Sequence, residues 1–365
     1  LDGPPLMLTH TAGSTPFRLA LHQGDVGHTM VVGPTGAGKS VLLNFMALQF
    51  RRYTGAQVFF FDKGSSARCA TYFVGGDFYP LGAGAEDARF QPLAEIDNTD
   101  DQGWAAEWIA GLVARQNVPI TPDLKTEIWK AVVSLASRPR AQRPLTLFRA
   151  LVQNANVKAA LEPFSGAGPY ADILDANSTT LGDSDWQTFE MEALYNRPPA
   201  IPASLDYLFH RLERRFNGRP TLLILDEAWL FLDDPLFADK IREWLKTLRR
   251  RNVSVVFASQ SLDDIAKSKI ASALIENCPT RIFLPNDRAL EPQARAVYER
   301  FGLNGRQIEI LGLATPKRDY YVQSAQGNRL FELGLGPVAL ALTATSSPDD
   351  QKLIDRVITE TSDAG

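Results

Sequence analysis

Cysteine is scarce in this chain: two occur in 365 residues, Cys69 and Cys278, and their placement has no metal-ligand spacing. That excludes a disulfide framework and a structural zinc site, and leaves both as small buried or half-buried side chains of a reducing compartment. Long apolar runs are absent too. None reaches the roughly 18 residues that a membrane-spanning helix requires, and no signal peptide opens the chain. An excess of one charge is also missing. Thirty-eight Lys and Arg against 42 Asp and Glu give a formal net charge of −4 and a pI of about 5.7. A global attraction to nucleic acid or anionic membrane is therefore ruled out, while a local basic patch is not. The first residue is Leu1 rather than Met, and the chain is therefore expected to be a piece of something longer.

What is present is an ordinary globular composition, 45% hydrophobic, enough for one large core or two. The chain is organised around Gly33-Pro34-Thr35-Gly36-Ala37-Gly38-Lys39-Ser40, a full GxxxxGK[ST] pattern between the apolar Thr29–Val32 and the helix-like Val41–Leu48. Strand, glycine turn and helix are the context a phosphate-binding loop needs. Gly33, Gly36 and Gly38 let the backbone turn its N–H groups inward, and the helix beginning near Lys39 adds its own unpaired donors. Lys39 would reach the β- and γ-phosphates and Ser40 would ligate magnesium. In a chain of average composition the pattern arises by chance about once in a hundred sequences.

A second strong element is Thr221-Leu222-Leu223-Ile224-Leu225-Asp226-Glu227. Its apolar run reads as a buried strand that presents two carboxylates at its carboxyl end, the expected partner of a phosphate loop. Asp226 is placed to hold magnesium, directly or through water, and Glu227 to polarise the water attacking the γ-phosphate. Val253–Ala258 is another core strand, followed by Ser259-Gln260-Ser261, where the Gln260 amide could meet the γ-phosphate or the water. The run Gln57–Phe61 ends in Asp62-Lys63, which are open to a site role or a local turn. His28 stands just before the first core strand, near the nucleotide or merely packing the strand. Arg249-Arg250-Arg251 closes an amphipathic helix and has three readings: a favourable helix end, a DNA phosphate contact, or a reach into a neighbouring subunit's site. Arg288 and Arg295 are weaker candidates for nucleotide or subunit contact.

The expected fold is an α/β nucleotide-binding core with an inserted helical subdomain. Residues 1–95 form the first part of the core, 96–200 a mainly helical inserted subdomain, 201–343 the rest of the core with terminal strands, and 344–365 a polar linker and helix. Four-residue spacing of Trp104, Trp108 and Leu112, and of Leu124, Ile128 and Val132 behind Thr121-Pro122, supports the helices. Their aromatic stripe reads as packing. Phe90–Leu93 reads as a strand end, and Tyr320–Ser324, Asn328–Leu333 and Val338–Leu342 as a terminal antiparallel extension.

Taken in order, Asp25-Val26-Gly27-His28, the phosphate loop, Asp62-Lys63-Gly64, Leu225-Asp226-Glu227-Ala228-Trp229, Ser259–Asp264 and Glu276-Asn277-Cys278-Pro279-Thr280 resemble the VirB4/TrbE family of conjugation and type IV secretion ATPases. The ending Asn328–Leu340 is similar to the TrbE branch. This resemblance implies an α/β fold, a RecA-like P-loop NTPase core with an all-helical insertion, and magnesium-dependent hydrolysis of ATP with Lys39, Glu227 and Gln260 in catalytic roles and Gly33 to Val41 around the nucleotide. It implies Ser40 and Asp226 at the metal, and makes Arg249–Arg251, with Arg250 at the centre, the candidate for an arginine supplied in trans. It further implies self-association, as in hexameric motors, other secretion-system components as partners, and a place in the bacterial cytoplasm or at the cytoplasmic face of the inner membrane. DNA binding is left open. Two other classes stay in view: a DNA-translocating coupling-protein-like or packaging motor, and a low-turnover ATP-binding scaffold.

Overall fold

The computed structural model describes residues 4–11, 13–84, 88–228 and 234–362. Trp229, one of the motif residues above, lies outside them. The chain divides into two compact units, the first Leu1–Phe78, Ser184–Phe189 and Phe216–Gly365, the second Tyr79–Asp183 and Glu190–Arg215. The second unit thus differs from the expected bounds of 96–200: it is wider at both ends, and Ser184–Phe189, inside that interval, belongs to the first.

Among the described residues eleven strands are formed: β1 Met7–His10, β2 Pro16–Leu19, β3 Thr29–Val32, β4 Gln57–Asp62, β5 Asp77–Pro80, β6 Trp186–Glu190, β7 Thr221–Leu225, β8 Val253–Ser259, β9 Thr280–Phe283, β10 Asp319–Ser324 and β11 Gly327–Glu332. They join in the order β2-β1-β11-β10-β9-β3-β8-β7-β4-β6-β5. The centre is parallel, with β9, β3, β8, β7 and β4 running the same way. The flank β10, β11, β1, β2 is antiparallel. Every residue of β3, β4, β7 and β8 is buried, which is why these segments read as continuous apolar runs rather than alternating ones.

Register decides where the chemistry falls. Val32 of β3 pairs with Ser259 of β8, and Leu225 of β7 pairs with Phe257 of β8 and Phe61 of β4. The carboxyl ends of four strands therefore line one edge, which receives the phosphate loop, Gln260, Asp226-Glu227 and Asp62. Helix Lys39–Phe50 leaves that edge and packs Leu42, Leu43, Met46, Ala47 and Phe50 into the core beneath the sheet.

The second unit is built mainly of helices. Helix Thr99–Arg115 is capped by Asn98, whose side chain accepts from the Asp101 N–H at 2.9 Å, and helix Pro122–Ala136 by Thr121, which accepts from the Leu124 N–H at 3.3 Å. The aromatic stripe is packing: Trp108 is buried with its Nε1 donating to the Ala203 carbonyl at 3.0 Å, and Trp104 stacks on His210 with centroids 4.0 Å apart.

Two local expectations are corrected. Val338–Leu342 is not a strand but part of helix Pro337–Thr343. Proline fits a first helical turn, and Ala339, Leu340, Ala341 and Leu342 are strong helix formers that outweigh the apolar look of the run. Phe90–Leu93 forms no strand; it is loop and turn, as the Gln91-Pro92 pair, lacking one backbone donor, permits. Strand β6 escaped sequence reasoning for a physical reason. Its polar Gln187, Thr188 and Glu190 are buried, so no apolar run announces it. Thr188 shares a 2.7 Å hydrogen bond with Thr71, and Trp186 Nε1 donates to Thr71 at 3.1 Å, which makes that burial tolerable.

His28 precedes β3, at the edge opposite the phosphate loop, so it packs the strand rather than facing a nucleotide there. It is buried, and its Nδ1 accepts from the Val255 N–H at 3.2 Å. Burial first, then the nearby His22, pushes its pKa down to about 4. Between that value and the unfolded 6.5 the unfolded chain binds the extra proton, so stability is lost as pH falls through this window. Thermal denaturation should show about 2 kcal/mol lost at pH 5 relative to pH 8 from this group. A His28→Gln variant whose pH dependence is no flatter than the parent's would contradict the assignment.

Candidate nucleotide-binding site

The loop between β3 and helix Lys39–Phe50 takes a left-handed backbone at two of its glycines. Gly36 has φ 80° and Gly38 φ 102°, left-handed conformations that a side chain resists. A Cβ on Gly38 would also stand 2.7 Å from Tyr320 Oη. A Cβ on Gly36, by contrast, would meet nothing within 4 Å, so only the backbone conformation favours glycine there. Gly33 donates its N–H to the Ser259 carbonyl at 3.2 Å and so ties the start of the loop to the end of β8.

Lys39 is buried and reaches both acidic residues at the end of β7, its Nζ 2.7 Å from Asp226 Oδ1 and 2.6 Å from Glu227 Oε1. Gln260 completes the cluster from the end of β8: its Nε2 donates to Glu227 Oε1 at 2.7 Å, and its Oε1 accepts from the Thr35 hydroxyl of the loop. The residues that the sequence placed at three separate strand ends thus form one connected network. Ser40 stands half-buried in the first turn of the helix beside Lys39.

The electrostatics of this network follow from its burial. Desolvation works against the Lys39 ammonium, but Asp226 and Glu227 outweigh it and hold its pKa above the ordinary lysine value. Asp226, fully buried, is pushed up by desolvation and by the adjacent Glu227, against the pull of Lys39. Two neighbouring buried carboxylates therefore depend on one cation. Glu227 is further distinguished by φ 52°, a left-handed conformation in a residue with a long side chain, which costs on the order of 1–2 kcal/mol.

Other sequence candidates fall elsewhere. Arg250 lies in the turn Leu248–Arg251 that precedes β8, at the amino edge of the sheet, and is exposed. It does not join Lys39 in its own chain. With Arg249, Asn252, His22 and Asp25 it lines an open cavity of about 380 Å³. Asp62 reaches the correct edge but is used locally, accepting from Ser66 Oγ at 2.7 Å and the Ala67 N–H at 2.8 Å. Arg288 pairs with Glu291 at 2.8 Å and Arg295 with Glu299 at 2.9 Å, ordinary pairs along exposed surface. Sequence reasoning missed the support of the loop by the β10 side. Tyr320 Oη donates to the Gly38 carbonyl at 3.2 Å, and the Lys317 N–H donates to the Ala37 carbonyl at 2.9 Å. A separation of nearly 300 residues with no motif at the far end leaves no signal for that contact.

Comparison with known proteins fits this geometry. The family described as TraG P-loop domain matches residues 151–322, a stretch holding Asp226, Glu227 and Gln260. The conjugal transfer protein TrbE of Rhizobium radiobacter is 49% identical over 96% of this chain and 43% of its own length. The chain belongs to the VirB4/TrbE family. A second TrbE relative, from Sinorhizobium fredii, is 47% identical over 95% of this chain and 53% of its own length. The type IV secretion system protein VirB4 of Bartonella henselae is 28% identical over 98% and 46%. The chain spans about half the length of these VirB4/TrbE relatives. Among solved structures, VirB4 of Thermoanaerobacter pseudethanolicus superposes with a TM-score of 0.73 at 16% identity, over 93% of this chain and 99% of that one. The bacterial conjugative coupling protein TrwB gives 0.58 at 14% identity, over 92% and 90%. Both show the P-loop NTPase fold. Among the described residues no helix is long and apolar enough to cross a membrane.

Proposed function

We propose that this VirB4/TrbE chain binds ATP with magnesium and hydrolyses it to ADP and phosphate, and that the turnover energises conjugative transfer or type IV secretion. The observation that carries the reading is the network of Lys39, Asp226, Glu227 and Gln260, tied through Thr35 to the phosphate loop. A phosphate chain entering the loop offers Lys39 stronger partners than two carboxylates, and the ammonium moves to it. That leaves Asp226 and Glu227 buried without their cation, so the residues present fit a divalent ion. Ser40 and Asp226, hard oxygen donors, would hold it. Magnesium would neutralise charge on the phosphate oxygens. Glu227, released by Lys39, orients the attacking water and accepts its proton, while Gln260 keeps a hydrogen bond to Glu227 and links it to Thr35 in the loop.

Residue for residue, the likeness to TrbE at 49% identity favours this reading over a coupling-protein-like DNA motor, whose solved example is 14% identical. We place the protein with other secretion-system components at the cytoplasmic side of the inner membrane, self-associated. The test is equilibrium binding and turnover of ATP by the parental protein and Lys39→Ala. Loss of one charge-assisted contact should weaken nucleotide binding by about 10- to 100-fold and remove turnover with it. ATP binding in the variant equal to the parent's would remove the loop from the mechanism.

A further inference from the structure

The groups that act on the terminal phosphate share one flank of the phosphate loop, since Asp226 and Glu227 follow β7 and Gln260 follows β8. On the other flank of β3 lie β9 and β10. A nucleotide whose γ-phosphate sits at Glu227 must run along the loop and leave it on that second flank. The turn that leads into β10 is docked there. Its Lys317 N–H and Tyr320 Oη hold the Ala37 and Gly38 carbonyls, and Lys317 Cα stands 3.1 Å from where a Gly38 Cβ would be. The turn is closed on itself, with the Thr315 N–H donating to Asp319 Oδ2 at 2.7 Å and the Asp319 N–H to the Thr315 carbonyl at 3.0 Å.

Within this turn the two cations differ. Arg318 is drawn to Glu332 at 2.9 Å. Lys317 is exposed, makes no ion pair among the described residues, and is held at φ 64°, a conformation usual for glycine. A lysine kept in a strained backbone position against a phosphate loop, with its charge unspent, is placed for an anion. We propose that Lys317 is a second cation at the bound nucleotide and meets its α-phosphate. This rests on the nucleotide-binding reading above. The loop amides and Lys39 hold the β- and γ-phosphates; the long, flexible lysine stem serves the phosphate nearest the nucleoside.

Calorimetric binding of ADP with magnesium, and of orthophosphate, to the intact protein tests this in parental, Lys317→Gly and Lys317→Arg forms. Glycine keeps the left-handed backbone and removes the charge. Lys317→Gly should weaken ADP binding about tenfold and Lys317→Arg by no more than about twofold. Orthophosphate, which fills a single phosphate position of the loop, should bind all three alike, and that result also reports an intact loop. ADP affinity unchanged in Lys317→Gly overturns the proposal, as does an equal loss for orthophosphate, which would assign Lys317 to the loop itself. Absence of ADP binding in the parental protein would instead overturn the nucleotide-binding reading, and this one with it.

Discussion

Replacing Glu227 with Gln should lower kcat for ATP hydrolysis by about 10²- to 10⁴-fold while leaving ATP affinity within a few-fold of the parent. The amide keeps the size of the side chain and its place beside Gln260, whose Nε2 now donates to Glu227 Oε1 at 2.7 Å. What it loses is the capacity to take a proton from water. It also loses half of the charge that holds Lys39, which binds Glu227 and Asp226 at 2.6 and 2.7 Å in the arrangement described. Lys39 should then leave the carboxylates more readily, so ATP binding is preserved or slightly tighter. Single-turnover kinetics separate the two effects. Undiminished turnover in Glu227→Gln would transfer the water to another group, and a parallel fall in affinity would make Glu227 a binding residue.

The site was legible in the sequence because its parts are local. A phosphate loop is eight consecutive residues, and the acidic pair and Gln260 each end an apolar strand that burial on both faces makes conspicuous. What joins them was not legible: that Lys39 bridges both carboxylates, and that Gln260 binds Glu227 and the loop at once, are consequences of strand order β3-β8-β7 and its register. The same holds for the fold. The central strands stand out as unbroken apolar runs and the long capped helices by their periodicity, whereas β6 hides because buried hydrogen bonds satisfy its polar residues. Helix Pro337–Thr343 was mistaken for a strand because seven residues are too few for a period of 3.6 to show. Tyr320 and Lys317 reach the loop from a separate hairpin, a contact set by tertiary structure alone.

Arg250→Ala should reduce turnover by about 10³-fold or more, with KM nearly unchanged, if a neighbouring subunit supplies this arginine to the transition state. Distance excludes Arg250 from the site of its own chain. Arg250 lies before β8 and Gln260 after it, so the two are separated by the length of a seven-residue strand, about 20 Å at the usual rise. An arginine side chain cannot span that, and within one chain the residue is catalytically idle. In a head-to-tail assembly the amino edge of one sheet can face the carboxyl edge of the next, which puts an exposed arginine over a site that already has its loop, acid and glutamine. Mixing decides the matter. Arg250→Ala subunits retain Glu227, and Glu227→Gln subunits retain Arg250, so in mixed assemblies roughly one site in four combines both intact groups. Two nearly inactive preparations should therefore regain activity when mixed and reassembled, and the rate per subunit should rise with protein concentration in the parent. Absence of recovery on mixing, turnover independent of concentration in a monomeric sample, or a loss confined to Arg249→Ala would each remove Arg250 from the role.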